Sequence, residues 1–519
     1  MRAVETVLFL VLVATVVATF ARRLRVPAPS LLVVAGVIIG LVPGVPSIEV
    51  TPDIVSLVVL PPLLFAAGEE LPWRDLRAVW RPVTALAVGL VLATAVAVAV
   101  VAVALTPLPL GMAFVLGAVL ASTDPVAVTA LGRRLSLPPR VQALVQAESL
   151  FNDATSLLLF RVAVGLVVAG GSAGWGHTVR EFVVLAGGGV LFGAIAAAGA
   201  YVIRRRTEEP VLETVVSLVT PYAAYVAAES VHASGVTAVV VASILLGTQA
   251  HRMTNANLRL QLGAVNGTVI FLLESVVFGL IGLQLPALIR KLTGTDTVWP
   301  LQALALTGTV LVVRLLWVFP LSAILQRRRG VRRPSWQVPA VVSWAGARGV
   351  VPLAAALSIP LTTSSGETLE YRALVVLLTT SVIVLTLVVQ GFTLAPLVRR
   401  AGIALTPEDV RQEQTFARLR LAQAGLAHLD TVAETEAAPE SVVEQLRQSW
   451  QARAARIQSD DESTDSSSTA YRDLRRDLLA VEGAELNRLF NAGSITDPTR
   501  RRIQRILDLE QAGLHADEP

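Results

Sequence analysis

The amino-acid sequence predicts an all-α polytopic membrane protein that carries a helical tail. Three observations support this prediction: long apolar runs, few charged residues within them, and an uneven distribution of charge along the chain. Of the 519 residues, 54% are hydrophobic and 16% are charged, and the mean hydropathy is +0.64, whereas soluble chains carry about 25% charged residues. The segment 401–519 holds 35 of the 82 charged residues. We therefore expect a membrane domain over 1–401 and a cytosolic tail over 402–519.

The apolar runs predict about thirteen membrane spans, because a spanning helix needs about 20 mostly apolar residues. The spans lie near 4–20, 28–43, 52–70, 82–105, 110–131, 141–168, 181–203, 211–229, 235–250, 263–289, 299–325, 337–360 and 373–397. The first run lacks a small-residue cleavage site, so it is interpreted as a span and not as a removed signal peptide. Alternate loops hold 21 and 5 Lys or Arg residues. Since cytoplasmic loops carry the basic excess, we expect the N-terminus outside and the C-terminus in the cytoplasm.

An odd number of spans is compatible with two inverted six-helix repeats, spans 1–6 and 8–13, joined by span 7. Transporters with inverted repeats bind substrate at broken helices in matching positions of the two repeats. The fifth span of the first repeat contains STDP at 122–125, and the fifth span of the second contains GARGVVP at 346–352. The sequence therefore predicts two broken crossing helices near the membrane midplane.

The tail has the composition of a soluble helical segment. Helical patterns lie near 407–427, 440–457, 470–491 and 498–513, and an acidic, serine-rich linker is predicted at 460–468. The chain has no cysteine, which excludes disulfides, zinc knuckles, iron–sulfur clusters and cysteine nucleophiles. It has no Walker A motif for ATP, and its basic excess lies in short loops instead of a nucleic-acid patch. We expect no cofactor, no nucleic-acid partner and no enzymatic activity.

Ionisable residues within the spans are expensive to insert and therefore indicate function. Asp124 stands at the break of span 5, and ESLFND at 148–153 lies close to the middle of span 6. On a helix Ser149 and Asp153 share a face. Small hard cations such as Na⁺ take oxygen ligands, which Thr123, Asp124, Ser149 and Asp153 are able to supply. The alternative is a polar clamp between spans 5 and 6, although two carboxylates without a nearby lysine make a poor clamp.

A buried arginine requires an anion within the helix bundle. Arg348 in span 12 is such a residue, and the sequence predicts Glu148 as its partner in a mainly structural ion pair. Glu274, Arg161 and Arg314 are further ionisable residues within the spans. We interpret them as supporting ion pairs or interface residues.

The motifs resemble those of the NhaP-type monovalent cation:proton antiporters, which are related to the animal Na⁺/H⁺ exchangers. The resemblance rests on STDPVAV at 122–128, ESLFNDA at 148–154, and WAGARG at 344–349 continuing to LSIP at 357–360. It covers about residues 1–400. It implies thirteen spans, a six-helix transport core and a dimerisation domain that works as a homodimer in the bacterial cytoplasmic membrane.

The resemblance also implies roles for individual residues. Asp153 would bind either the cation or protons, with Thr123, Asp124 and Ser149 nearby, and Glu148 would pair with Arg348. Asn152 before Asp153 accompanies electroneutral exchange in the family, where electrogenic relatives carry a second aspartate. The leading hypothesis is an electroneutral Na⁺(Li⁺)/H⁺ antiporter that works by alternating access. A K⁺/H⁺ antiporter of the same fold, a cation channel with a regulatory tail and a membrane-embedded hydrolase are the alternatives.

Overall fold

The chain is helical throughout most of the part that the computed structural model describes. The described residues are 11–17, 19–21, 27–42, 54–124, 137–168, 175–207, 209–253, 256–292, 298–328, 335–362, 369, 371–435, 439–458, 462–492, 494 and 497–516. Two compact units divide the chain, one over 1–404 and the other over 405–519. This division lies three residues beyond the boundary expected at 401.

From Ala28 onwards, eighteen α-helices follow one another within the described residues. They are α1 (Ala28–Leu41), α2 (Leu60–Glu69), α3 (Trp73–Thr84), α4 (Val91–Leu105), α5 (Leu110–Leu120), α6 (Pro139–Val168), α7 (Trp175–Arg206), α8 (Pro210–Ser230), α9 (Gly235–Met253), α10 (Ala256–Leu292), α11 (Trp299–Arg328), α12 (Gln337–Trp344), α13 (Val350–Leu357), α14 (Arg372–Ala401), α15 (Pro407–Thr435), α16 (Glu440–Gln458), α17 (Glu462–Asn491) and α18 (Asp497–Ala516). A π-helical turn, Ile54–Val59, precedes α2, and another, Ala85–Leu90, joins α3 to α4.

The first unit has the helices of a multi-pass membrane protein. Seven helical segments within the described residues are long and apolar enough to cross a membrane, and shorter apolar helices accompany them. A helix satisfies its own backbone hydrogen bonds, which is why apolar runs adopt this structure in lipid. The helices α6 to α11 and α14 coincide with the spans expected from the sequence. Of the first expected span, 4–20, only a helical stretch within Val11–Ala21 falls among the described residues.

The end of α5 and the interruption between α12 and α13 lie where the sequence predicts helix breaks. Helix α5 ends at Leu120, Ala121 caps it through a hydrogen bond to Ala118 O, and residues 122–124 are not helical. Helices α12 and α13 are separated by the non-helical residues 345–349. The continuation of span 5, which includes Pro125 to Val128 of the first motif, lies outside the described residues.

The second unit consists of the four tail helices, α15 to α18. Thr406 and Asp409 form a capping box before α15: Thr406 N donates to Asp409 Oδ2 at 3.0 Å, and Asp409 N donates to Thr406 Oγ1 at 3.1 Å. Thr406 Oγ1 also donates to Asp409 Oδ2, at 2.6 Å, and this hydrogen bond together with the one from Thr406 N lowers the pKa of Asp409. The cap is therefore intact at neutral pH and is lost as the pH falls through the lowered pKa.

The linker predicted at 460–468 is wrong in its second part. Helix α17 begins at Glu462 and includes residues 462–468, whereas residues 460–461 lie outside the described residues. Ser and Thr are only moderately poor helix formers. The helix predicted over 470–491 therefore extends backwards through the serine-rich sequence.

Candidate functional site

The two non-helical segments of the membrane unit contact each other directly. Asp124 N donates a hydrogen bond to Ala347 O at 2.7 Å, which joins the end of the first segment to the middle of the second. Arg348 N donates to Thr386 Oγ1 of α14 at 3.2 Å. Unwound backbone is tolerated at membrane depth only where protein or a cavity supplies hydrogen-bond partners. Here each segment supplies partners to the other.

Arg348 satisfies carbonyl groups at the ends of two half-helices. Its Nε donates to Leu120 O, the last residue of α5, at 3.0 Å, and its Nη1 donates to Gly346 O just beyond α12. The side chain is almost fully buried, with 2% of its surface exposed. Carbonyl groups at a helix C-terminus carry partial negative charge and favour a cation. Arg348 thus stabilises both half-helix ends at the crossing.

The predicted pairing of Glu148 with Arg348 is wrong, because Glu148 forms its ion pair with Arg314 of α11. Arg314 Nη2 donates to Glu148 Oε2 at 2.9 Å, Arg314 Nη1 pairs with the other carboxylate oxygen, and each residue is 1% exposed. Arg314 also donates from Nε to Ser343 O at 3.0 Å and from Nη2 to Val342 O at 3.0 Å. One arginine from α11 therefore ties α6 to the end of α12, while the carbonyl groups of the crossing occupy Arg348.

Two glycines make room for charged side chains at the break in span 12. A Cβ atom added at Gly346 would lie 2.5 Å from Arg314 Nε, and one added at Gly349 would overlap the Asp124 carboxylate. The backbone of Gly349, the residue before α13, is therefore in direct contact with Asp124. An anion is favourable at a helix N-terminus. The glycine spacing of the second motif thus follows from the two side chains that pack onto it.

Helix α6 is joined to the first non-helical segment by Asn152 and Ser149. Asn152 Nδ2 donates to Thr123 Oγ1 at 2.5 Å, and Asn152 Oδ1 accepts from Thr123 N at 3.4 Å. Ser149 Oγ donates to Thr123 O at 2.5 Å. All three side chains are at least nine-tenths buried. Both oxygens of Thr123 are therefore held in fixed positions next to the carboxylates of the site.

Asp153 receives a hydrogen bond from a hydroxyl group of the opposite segment. Ser122 Oγ donates to Asp153 Oδ1, and the two residues are 0% and 4% exposed, respectively. A carboxylate that is taken out of water needs a proton, a cation or hydrogen-bond donors to offset the lost hydration. The surroundings of Asp153 thus favour binding of a small positive species.

An acidic cavity of about 160 Å³ connects these residues. The four predicted cation ligands Thr123, Asp124, Ser149 and Asp153 all line it. Glu70, at the end of α2, and Glu274 of α10 contribute two further carboxyl groups, and no Lys, Arg or His occurs among the described residues that line it. The remaining lining is largely apolar and includes Leu60, Leu64, Ile270 and Phe278. The cavity is suited to a small cation held by oxygen atoms in an otherwise dry site.

Among the described residues, the cavity is lined on α6 from the middle of the helix towards its N-terminus. On α6 its lining residues are Gln146, Ser149, Leu150 and Asp153, all in the N-terminal half of the helix. On the α2 side it reaches Glu70, which lies three residues before the start of the Arg-containing helix α3.

Sequence reasoning did not identify three groups of the site. Ser122 precedes the predicted ligand Thr123, and its place within the same STDP motif was the available signal. Glu70 and Gln146 had no such signal, because their approach to the cavity depends on how α2 packs against α6. Arg314 and Arg161 were expected in supporting ion pairs, and the structure pairs them with Glu148 and Glu229, respectively.

Comparison with known proteins identifies the family to which this architecture belongs. The sequence matches the family described as "Sodium/hydrogen exchanger, transmembrane" over residues 9–400. The chain belongs to the sodium/hydrogen exchanger family. The resemblance to NhaP-type antiporters, expected from the motifs, is thereby confirmed. This exchanger is a multi-pass membrane protein, and the members of its family exchange cations for protons.

Similar proteins cover the exchanger to different extents. An uncharacterized Na⁺/H⁺ exchanger of Mycobacterium tuberculosis (strain H37Rv) is 36% identical, over 98% of this chain and 96% of its own length. A sodium, potassium, lithium and rubidium/H⁺ antiporter of Bacillus pumilus is 30% identical, over 71% of this chain and 57% of its own length. The solved structure of the sodium proton antiporter MjNhaP1 of Methanocaldococcus jannaschii superposes with a TM-score of 0.62 at 20% identity. It covers 77% of this chain and 99% of the solved chain, and at this identity it shows the fold.

Substitution of Gly349 by alanine is expected to reduce cation/proton exchange strongly. The added Cβ overlaps the Asp124 carboxylate, so either Asp124 or the break in span 12 must move. A displacement of about 1 Å in a preorganised site costs on the order of a hundredfold in rate. The measurement is exchange by reconstituted protein.

Gly308→Ala in α11 is the matched control for this substitution. A Cβ atom at Gly308 meets nothing within 4 Å, so this variant should retain wild-type exchange and stability. Equal exchange by Gly349→Ala and Gly308→Ala would contradict the assigned contact between Asp124 and Gly349.

Proposed function

We propose that this exchanger is an electroneutral Na⁺(Li⁺)/H⁺ antiporter of the bacterial cytoplasmic membrane. The observation that carries the proposal is the convergence of Asp153, Asp124, Thr123 and Ser149 on one small acidic cavity at the crossing of two broken helices. Broken helices at a crossing are where inverted-repeat transporters bind their ions. Na⁺ and protons would be substrates carried by this site, and neither would be a resident cofactor.

Asp153 is the proposed site of competition between cation and proton. The buried carboxyl group is neutralised either by a proton or by the cation, and each neutral form is cheaper to carry through the membrane than the bare anion. The site with an unoccupied Asp153 carboxylate therefore changes its side of access least readily. After one ion is released, the other must bind before the site can return. Coupling between the two fluxes follows from this competition without a further gate.

The remaining site residues would hold the cation by oxygen atoms. Asp124 contributes a carboxylate beside Gly349, and Thr123 and Ser149 contribute hydroxyl or carbonyl oxygens held by the hydrogen bonds described above. Asn152 is engaged on both its amide atoms by Thr123 and carries no charge. A single exchangeable carboxylate at 152–153 favours a stoichiometry of one cation for one proton.

Access to Asp153 would alternate between the two sides of the membrane. The cavity extends towards the Arg-rich loops, which the positive-inside rule assigns to the cytoplasm. We infer an inward-facing conformation, with the N-terminus outside and the C-terminus inside. We further infer thirteen spans in two inverted repeats and a homodimer, as in the NhaP-type proteins that the sequence resembles. The proposed role is transport, not catalysis.

Selectivity between Na⁺ and K⁺ is the point on which relatives differ by name. The M. tuberculosis relative is named for Na⁺, whereas the B. pumilus relative is named for sodium, potassium, lithium and rubidium. Eight oxygen-bearing side chains are among the described residues that line the cavity of about 160 Å³. We propose Na⁺ and Li⁺ as the preferred cations and keep K⁺/H⁺ antiport as the alternative of the same fold.

The test uses proteoliposomes with an imposed pH gradient and an entrapped pH-sensitive dye. Na⁺, Li⁺ and K⁺ are added separately at equal concentrations, with a proton ionophore added at the end to define full dissipation. Dissipation by Na⁺ and Li⁺, unaffected by clamping the membrane potential, is the expected result. Faster dissipation by K⁺ than by Na⁺ or Li⁺ would favour the K⁺/H⁺ alternative. Unitary currents without proton counterflow would instead identify a channel.

A further inference from the structure

A second cavity lies within the membrane unit, away from the acidic site. Its volume is about 390 Å³, and residues of α3, α6, α11 and α12 line it together with the π-helical turn after α3. Most of the described lining is apolar and includes Val79, Leu86, Leu144, Val318, Leu321 and Val342. Its size lies within the usual range of about 300–1,000 Å³ for ligand sites, and its apolar lining suits a hydrocarbon chain better than a hydrated ion.

The mouth of this cavity is polar and basic. Arg140 and Ser335 line it and are exposed. Gln326 of α11 also lines it and is joined to Ser335, which lies just before α12. Gln326 Oε1 accepts from Ser335 N at 2.7 Å, and Gln326 Nε2 donates to Ser335 O at 3.1 Å. On the adjoining surface of α3 and at the end of α11, Arg77, Arg81, Arg327 and Arg328 are exposed. The apolar interior therefore opens beside a cationic surface.

Two tryptophans place the mouth at the level of the lipid headgroups. Trp73 and Trp80 of α3 are each 54% exposed, and the Arg81 guanidinium lies 5.7 Å from the centre of the Trp80 ring. Tryptophan concentrates at the membrane–water interface, and basic residues there attract anionic lipids. Their position next to the loops with the basic excess assigns this mouth to the cytoplasmic leaflet.

We propose that this cavity binds an anionic phospholipid of the cytoplasmic leaflet. One acyl chain would occupy the apolar interior, and the phosphate group would lie against Arg140. The complementarity of an anionic head to the basic rim, combined with an apolar interior open at headgroup level, favours this occupant over a neutral lipid or a polar metabolite.

The cavity adjoins the first half of the broken helix. Val342 of α12 lines the cavity, and Val342 O accepts a hydrogen bond from Arg314 Nη2 at 3.0 Å. Arg314 in turn pairs with Glu148 of α6. A bound acyl chain would thus pack against the helix that leads into the crossing, so the lipid is positioned to stabilise the membrane unit.

The test measures the thermal stability of the full-length protein in detergent, titrated with phosphatidylglycerol or with phosphatidylcholine. Phosphatidylglycerol is expected to raise the Tm of wild type, and phosphatidylcholine is not. Ala78 lines the cavity and is exposed, so Ala78→Trp would fill part of the cavity with an indole ring and should abolish the rise in Tm. Arg140→Gln should weaken the apparent affinity about fivefold, since one interfacial arginine contributes about 1 kcal/mol.

Two matched variants control for these substitutions. Ala104→Trp changes an exposed alanine of α4 outside the cavity, and Arg206→Gln removes an exposed arginine at the end of α7. Both should keep the wild-type response to phosphatidylglycerol. A full shift in Ala78→Trp, an equal loss in Arg140→Gln and Arg206→Gln, or an equal response to both lipids would overturn the proposal. Because no transport is measured, this result is independent of the proposed antiport.

Discussion

Asp153→Asn is expected to abolish cation/proton exchange while leaving the protein folded. The amide retains the shape of the side chain and an oxygen that accepts the hydrogen bond from Ser122, so the packing of α6 persists. It neither releases a proton nor offers an anionic oxygen to a cation. Dissipation of an imposed pH gradient in proteoliposomes should therefore fall to the rate of protein-free vesicles for every cation tested.

The thermal stability of Asp153→Asn separates loss of function from loss of fold. Because the substitution removes a buried ionisable group, its Tm should equal or exceed that of wild type. Glu181→Gln, which neutralises an exposed carboxylate of α7, is the control and should exchange normally. Robust exchange by Asp153→Asn would rule out Asp153 as the site of competition.

Breaking the Glu148–Arg314 pair is expected to have the largest effect on stability. Both side chains are 1% exposed, so Glu148→Gln leaves the Arg314 charge buried without its partner. Removing one member of a buried ion pair costs about 3–5 kcal/mol. A lower Tm and a lower yield of monodisperse protein in detergent are the expected results, and Arg314→Met should behave in the same way.

The double variant Glu148→Met/Arg314→Met tests whether the two effects share one cause. Replacing both charges by apolar residues of similar length removes the unpaired charge, so part of the lost Tm should return. Glu229→Gln breaks the Arg161–Glu229 pair, whose side chains are about one-third exposed, and should cost much less. A Tm for Glu148→Gln equal to that of Glu229→Gln would refute the assigned pairing.

The long apolar helices and the interruptions at the two motifs could be predicted because they depend on composition along the chain. Runs of apolar residues specify helices in lipid, and Gly, Pro and charge within such runs mark breaks. The convergence of Asp124 and Asp153 on one cavity was expected from the same positions, since both lie in interrupted or polar parts of adjacent spans. Family resemblance gave the same residues independently.

The partner of Glu148 could not be predicted in this way. The sequence offered three arginines within the spans, Arg161, Arg314 and Arg348, and the choice among them depends on which helix lies opposite Glu148. Arg348 stands within a non-helical segment, where the carbonyl groups of Leu120 and Gly346 require a donor. Charge alone favoured Glu148–Arg348, whereas the backbone requirements of the crossing made Arg314 the partner.

The lining of the acidic cavity depends on packing between distant helices. Glu70 ends its apolar run and resembles an ordinary surface carboxylate in sequence, yet it lines the same cavity as Asp153. The helical structure of 462–468 was missed for a different reason: serine-rich composition indicates weak helix propensity but does not prevent a neighbouring helix from extending.

The most direct test of competition at Asp153 is the affinity for Na⁺ measured as a function of pH on the purified full-length protein. Isothermal titration in two buffers of different protonation enthalpy gives both the apparent Kd and the number of protons released. If cation and proton exclude each other at one carboxylate, about one proton is released per Na⁺ bound in the acidic range. In that range the apparent Kd for Na⁺ rises about tenfold for each unit by which the pH is lowered. A Kd independent of pH, with no proton release, would contradict the mechanism.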